Sequence, residues 1–255
     1  MEKQAPKQEI VDIPLGTLHR ITSGLEKAYG EGNVVVIGGR AVNLLCSISH
    51  RPTHDVDLVV PRHPTDKDML VLPNKARSPH EYFYYEGNIN DKARAKLYYV
   101  AQAVPKPVGI DLYYPFYSTH SGFKSDGRHI GGVVPVPIDT VLKEHTTVKM
   151  GGLKFSVVRL EVLAVMKYNT FIERGMASGD SKDMIDIKNI FMNHANNPDD
   201  FILLMKKINT FLGKYVPERA ESTMMGMLRS VDFNSISRDV GNEARSLLRN
   251  PSRLR

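Results

Sequence analysis

The sequence predicts an α+β protein, a mixed strand-and-helix half followed by a helical half, with the change near Arg159. Three observations predict it. Short β-branched and aromatic runs recur through the first 160 residues, bounded by Gly and Pro as strands are. A double glycine, Gly38-Gly39, separates one such run from an apolar stripe at helical spacing. From Leu160 onward, helical periodicity continues to the end of the chain.

Each element can be argued in turn. In PLGTLHRITSGLEKAYG, Leu15, Leu18, Ile21 and Leu25 recur at helical spacing, and Gly30 and Gly32 mark the stop. Val34 to Ile37 is a β-branched run of the kind a buried strand uses. After the double glycine, Ala41, Leu44, Leu45 and Ile48 make a second helical stripe, stopped by Pro52. DVDLVV, from Asp55, is a strand, as are KLYYVA (Lys96 to Ala101) and GIDLYY (Gly109 to Tyr114), the last two joined at Pro105-Lys106-Pro107. Phe116 to Gly132 lacks periodicity and is taken as a loop. TTVKM and LKFSVV form a hairpin around Gly151-Gly152. Five helices are then expected: Leu160 to Arg174, Ser181 to His194, Asp199 to Lys214, Pro217 to Ser230 and Ser235 to Arg249.

Composition narrows the function classes. The apolar share is 42% of 255 residues and the charged share 24%, which suits a packed globular chain and excludes a disordered or fibrous one. Neither a transmembrane run nor a signal-like apolar stretch is visible. A single cysteine, Cys46, permits no internal disulfide and no cysteine-based zinc site. These features are read together as cytoplasmic. Residues 201 to 255 hold ten Lys or Arg against five Asp or Glu, so most of the +6 net charge sits there. A basic end beside a near-neutral body suits a polyanion such as RNA or a nucleotide phosphate, and equally suits a solvated helical surface.

The strongest chemical constellation is Gly38-Gly39, Asp55-Val56-Asp57 and Asp111. Side chains alternate across a strand, so Asp55 and Asp57 share a face. Paired carboxylates repel unless a cation sits between them, and magnesium prefers such oxygen ligands. Asp111 lies between Ile110 and Leu112 on a second strand; if the strands are neighbours, three carboxylates meet and can serve phosphoryl displacement. The double glycine lets backbone amides approach a phosphate ahead of a helix, or simply packs a tight turn. A second acidic pair, Asp66 and Asp68, follows Thr65 and has the look of a helix first turn.

Lys167 stands alone in the apolar stretch between Glu161 and Glu173. Either it snorkels to the surface or it meets an anion such as a phosphate. Asp183 and Asp186 share a helix face, where Asp180 can cap, Asp183 can favour the dipole and Asp186 can pair with Lys182. There is no His-Glu-x-x-His, no phosphate loop ending in Gly-Lys-Ser/Thr and no Gly-x-Ser-x-Gly elbow, which argues against a zinc protease, a P-loop NTPase and an α/β-hydrolase.

Jointly, GGRA at Gly38, HRPTHDVDL at His50, Ile110-Asp111-Leu112, LAVMK ending at Lys167, and Arg174-Gly175 with Lys182-Asp183-Met184-Ile185-Asp186 resemble the DNA-polymerase-β-like nucleotidyltransferases, in particular the AbiEii-type abortive-infection toxins. The likeness spans roughly Val34 to Met192. It implies a nucleotidyltransferase fold, a mixed sheet flanked by helices, as a core domain over residues 1–159. A helical C-terminal domain over 160–255 would complete the active-site cleft. It also implies transfer of a nucleoside monophosphate from a nucleoside triphosphate to an RNA (a tRNA among them), protein or small-molecule acceptor, with Mg2+ or Mn2+. An antitoxin protein is an implied partner. Asp55, Asp57 and Asp111 would hold metal. Gly38, Gly39, Arg40, Lys167, Asp183 and Asp186 would serve the nucleotide, with Lys167 also catalytic. One departure is Arg40, where the family usually has Ser or Thr; it would pair with a phosphate or obstruct the usual contact. Two rival readings remain: a catalytically inert protein of this fold that binds nucleotide or RNA, and a plain nucleic-acid-binding protein using its basic C-terminal helices.

Overall fold

The structure is a computed structural model and describes residues 12–46, 52–85, 94–115, 129–130, 136–174 and 181–254. Helix α1 (Leu15–Tyr29) runs to Gly30, whose φ of 93° turns the chain out of the helix. Strand β1 (Val35–Ile37) leads without a loop into α2 (Gly38–Leu45). Then come β2 (Asp55–Val59), α3 (Asp66–Val71), β3 (Glu81–Tyr85), β4 (Arg94–Ala101) and β5 (Val108–Tyr113). Two short strands, β6 (His129–Ile130) and β7 (Val136–Pro137), pair apart from the main sheet and precede α4 (Ile138–Lys143). The hairpin β8 (His145–Met150) and β9 (Leu153–Val158) turns at Gly151 and Gly152, both at positive φ. Helices α5 (Leu160–Glu173), α6 (Lys182–His194), α7 (Pro198–Tyr215), α8 (Ala220–Ser230) and α9 (Arg238–Arg249) follow.

Seven strands make one mixed sheet in the order β3-β4-β5-β2-β1-β9-β8. Strand β2 runs parallel to β5, and β1 parallel to β9; the other neighbours are antiparallel. The register sorts the far half of the sheet into two chemically distinct faces. On one, Val56 and Leu58 stand beside Ile110 and Leu112, and Leu97, Tyr99 and Phe83 continue the row, all buried. Helix α1 covers this face: Phe83 lies against Gly24, and the Tyr99 hydroxyl accepts from Arg20 Nε at 3.2 Å. The opposite face carries Asp55, Asp57, Asp111 and Lys96, since Asp57 is the register partner of Asp111 and Asp111 of Lys96.

Helix α5 is apolar nearly all round, the pattern of a helix buried on every side. Ten of its fourteen residues are buried, and it packs on α2, α6 and α7. This places it beside the end of β1 and β2. Beyond it, Phe191, Phe201 and Phe233 meet ring to ring at 5.0–5.8 Å and tie α6 and α7 to the 3-10 turn before α9.

Some expectations change. Helix α2 ends at Leu45, with Cys46 as C-cap, well before Pro52; Ile48 falls outside the described residues. Thr65 and Asp68 form a reciprocal capping box, so the second acidic pair is indeed a helix start. Ser181 caps α6, its hydroxyl accepting from Met184 N at 3.3 Å, in place of Asp180, which lies outside the described residues. The loop expected over Phe116 to Gly132 lies outside them too, apart from the two residues of β6. Strand β3 and helix α4 were not foreseen: EYFYY lies among turn-forming residues, and α4 is only six residues long.

Candidate active site

A cleft of about 250 Å3 opens where the ends of β1 and β2 face α5 and the start of α6. It is smaller than the roughly 300–1,000 Å3 of typical small-molecule sites.

The sheet wall is acidic. Gly38, Gly39, Asp55 and Asp57 all line it. Gly38 has a φ of +66°, and a Cβ there would stand 2.2 Å from Asp57 Oδ2. Glycine is therefore required twice, for the left-handed backbone and for the carboxylate lying over it. Gly109, the register partner of Asp55, plays the matching part on the other side: a Cβ there would be 2.5 Å from Asp55 Oδ1. The two carboxylates thus splay, Asp57 toward β1 and Asp55 toward β5. Asp111 sits beside Asp57 in register, 4% exposed, and does not itself line the cleft. Among the described residues no three Asp, Glu, His or Cys side chains are gathered tightly enough to form a ready metal cluster. The expected convergence is therefore present in the strand register but not in the side-chain positions. The oxygen donors on offer are nevertheless those that magnesium prefers, on two adjacent strands beside one cleft, so the donor chemistry fits that ion.

The helical wall is basic. Lys167, Thr170 and Arg174 follow one another along α5 at i, i+3 and i+7 and all face the cleft, as does Lys182 at the start of α6. Lys167 does not snorkel. It is 7% exposed, and its Nζ lies 2.6 Å from Asp186 Oδ2 and 3.6 Å from Asp183 Oδ1. Arg174, half exposed, pairs with the other oxygen of Asp183. Asp183 and Asp186 are almost wholly buried, so Asp186 meets Lys167 and not the expected Lys182. Asp183 lines the cleft and Asp186 sits behind it. Cys46 lies near Asp186; burial, with a smaller push from that carboxylate, moves its thiol up to about 12, so it is no nucleophile at neutral pH.

Arg40 goes elsewhere. It is buried, with Nη2 donating to the Thr53 carbonyl at 2.8 Å and pairing with Asp12 at 2.8 Å. It is not among the residues that line the cleft. Arg40 instead ties the segment before α1 to the approach to β2. The resemblance missed Gly109. Gly109-Ile110-Asp111 paired with Asp55-Val56-Asp57 was the available signal, since two parallel strands with matched spacing put a glycine opposite a carboxylate.

A mixed sheet with a Gly-Gly turn, carboxylates on its central strand and a helix bearing cations facing them defines a nucleotidyltransferase fold. Residues 22–251 match the family described as the nucleotidyl transferase AbiEii toxin of a type IV toxin-antitoxin system, and the chain belongs to that family. No curated protein sequence matches it significantly. Solved structures give distant likenesses. One is an antigenic nucleotidyltransferase-like protein from Paracoccidioides brasiliensis, 16% identical, covering 84% of this chain and 94% of its own, TM-score 0.45. Another is JHP933 from Helicobacter pylori, 13% identical, covering 94% and 95%, TM-score 0.40. A third is ANT(2")-Ia in complex with adenylyl-2"-tobramycin, 10% identical, covering 83% and 97%, TM-score 0.39. No helix among the described residues is long and apolar enough to cross a membrane.

Proposed function

We propose that the chain transfers a nucleoside monophosphate from a nucleoside triphosphate to an acceptor, releasing pyrophosphate, and that it acts as the toxin of a toxin-antitoxin pair. The observation that carries this reading is the cleft's two walls: Asp55 and Asp57 on one, and on the other Lys167, Arg174 and Lys182, with Asp183 among them. A triphosphate with its divalent ion has the matching charge pattern. Its cationic end would meet the carboxylates, and its free phosphate oxygens would meet the cations of α5 and α6. When bound by Asp55, Asp57 and Asp111, Mg2+ or Mn2+ supplies positive charge that neutralises the phosphates.

The chain's own residues then have distinct tasks. Gly38 and Gly39 bring backbone amides up to the phosphates at the start of α2. Lys167 and Arg174 hold phosphate oxygens, while Asp183 and Asp186 fix both cations in place. The acceptor oxygen bonds to the α-phosphorus as the bond from that phosphorus to the bridging oxygen breaks, and pyrophosphate leaves. Asp111 is the proposed taker of the acceptor's proton and must turn into the cleft from its buried place beside Asp57 to do so. On this reading residues 1–159 form the catalytic core, and the helices from 160 onward close the cleft. That Arg40 pairs with Asp12 and is not among the residues lining the cleft supports the active reading over the inert one.

Incubation with each nucleoside triphosphate labelled at the α-phosphate, with magnesium and cell extract, tests this. One labelled acceptor and one pyrophosphate per label are expected. Label released only as free nucleotide, or no turnover of any triphosphate, would refute transfer.

A further inference from the structure

Arg40 is the third residue of α2, in the first turn of the helix, where the macrodipole opposes a cation. What holds it there is the backbone of one residue. Its Nη2 donates to the Thr53 carbonyl and pairs with Asp12 Oδ1, each at 2.8 Å. The same Asp12 oxygen accepts from Thr53 N at 3.4 Å. One ion pair therefore takes both backbone polar groups of Thr53. Neither Asp12 nor Arg40 is among the residues lining the cleft; they border a separate cavity of about 100 Å3 with Leu18 and Asn43. Thr53 does line the cleft, together with Gly38, Gly39 and Asp55. It is 8% exposed, and its hydroxyl oxygen is buried with no hydrogen-bond partner among the described residues. A buried hydroxyl left unbonded costs the fold free energy and calls for an explanation. Here the explanation is a partner that enters the cleft from outside.

We propose that Thr53 is a ligand for the donor's phosphates and that the Asp12–Arg40 pair is its positioning device. This rests on the transfer reading above and adds one binding residue and the support behind it. A hydroxyl turns freely and can donate to a phosphate oxygen, and such a bond to a charged acceptor is a strong one. The cations of α5 and α6 draw a triphosphate by charge alone. A short side chain beside Gly38 and Gly39 fixes where one of its oxygens lies. Arg40 acts only through Thr53. Its guanidinium holds the carbonyl and its partner carboxylate holds the amide, which fixes the peptide planes on either side of the residue and keeps its hydroxyl on the cleft. The segment before α1, 41 positions from Thr53, thereby becomes part of the site.

Isothermal titration calorimetry with the magnesium complexes of the four α,β-methylene nucleoside triphosphates tests both parts, because it reads binding without turnover. Thr53→Val keeps the outline of the side chain and removes the hydroxyl. It should weaken the analogue that wild type binds by about ten-fold or more, the scale of a hydrogen bond to a charged group. Its urea midpoint should hold or rise. Thr53→Ser keeps the hydroxyl and should keep wild-type affinity. Arg40→Met should weaken the same analogue, yet weaken it no further in the Thr53→Val background, where there is no hydroxyl left to position. Asp12→Asn, at a half-exposed residue, gives the same comparison at smaller amplitude should Arg40→Met fail to fold. Unchanged affinity in Thr53→Val would overturn the ligand. Full additivity of Arg40→Met with Thr53→Val would overturn the positioning role and leave transfer standing. A wild type that binds none of the four analogues would strike the transfer reading, and this inference with it.

Discussion

At the residue scale, Lys167 joins stability to chemistry. Its ammonium is buried between Asp186 and Asp183 and also borders the cleft. Lys167→Met leaves Asp186 buried without its cation, and breaking a buried pair from one side costs about 3–5 kcal/mol. Because Arg174 still holds Asp183, the lower end of that range is expected. The urea midpoint reads the loss, and nucleotide affinity measured on the same variant should fall as well. A lower midpoint with unchanged nucleotide affinity would confine this lysine to structure. Gly38→Ala makes a second demand. The left-handed backbone alone costs on the order of 1–3 kcal/mol, and the new methyl displaces the Asp57 carboxylate. Activity should therefore fall further than the midpoint does. The sequence left open whether Lys167 snorkels to the surface or meets an anion, and it did not name the anion. Asp183 and Asp186 are 16 and 19 positions away on another helix, and only the α5–α6 packing brings them under it.

At the element scale, α3 offers a pH-dependent handle. The Arg62 guanidinium hydrogen-bonds the Asp68 carboxylate, with further help from Thr65, and holds it at about 2 despite opposing burial. A carboxylate depressed in the fold contributes stability above its ordinary value near 4, and that contribution fades as pH falls toward 2. Asp68→Asn should lower the urea midpoint at pH 7, and the gap to wild type should narrow at pH 3. A gap of constant size across that range would show that the charge is not what stabilises the cap. The elements legible in advance were those with strong local grammar. The apolar stripe closed by Gly30, the β-branched run into the double glycine, and the Gly151-Gly152 hairpin all carry their own start and stop signals. Strand β3 does not. Its residues Glu81 to Tyr85 are strand-forming only because β4 lies beside them, and that pairing crosses a stretch with no periodic signal.

At the scale of the whole molecule, the sheet's register and the helical half together create the two-walled cleft. The alternation in Asp55-Val56-Asp57 and Gly109-Ile110-Asp111 was enough to expect carboxylates on one face. Their splayed side chains and the diversion of Arg40 to Asp12 depend on tertiary contacts that no local pattern encodes. Divalent metal should stabilise the folded chain by linkage, since the unfolded chain lacks the paired strands. Magnesium at a hundred times its dissociation constant would add about 2.7 kcal/mol, a gain that chelation removes and that Asp57→Asn should lack. Equal thermal shifts in wild type and variant would put the metal elsewhere.

Transfer of label from an α-labelled nucleoside triphosphate to an acceptor, in wild type and Asp57→Asn side by side, bears most directly on the proposed activity. Both proteins should first be shown to unfold cooperatively. Wild type should label its acceptor in the presence of magnesium, and the variant should lose at least two orders of magnitude in rate, the scale on which removing a stabiliser of developing charge acts. Equal labelling by the two proteins, or no labelling by wild type with any of the four triphosphates, would contradict the assignment of this cleft to nucleotidyl transfer.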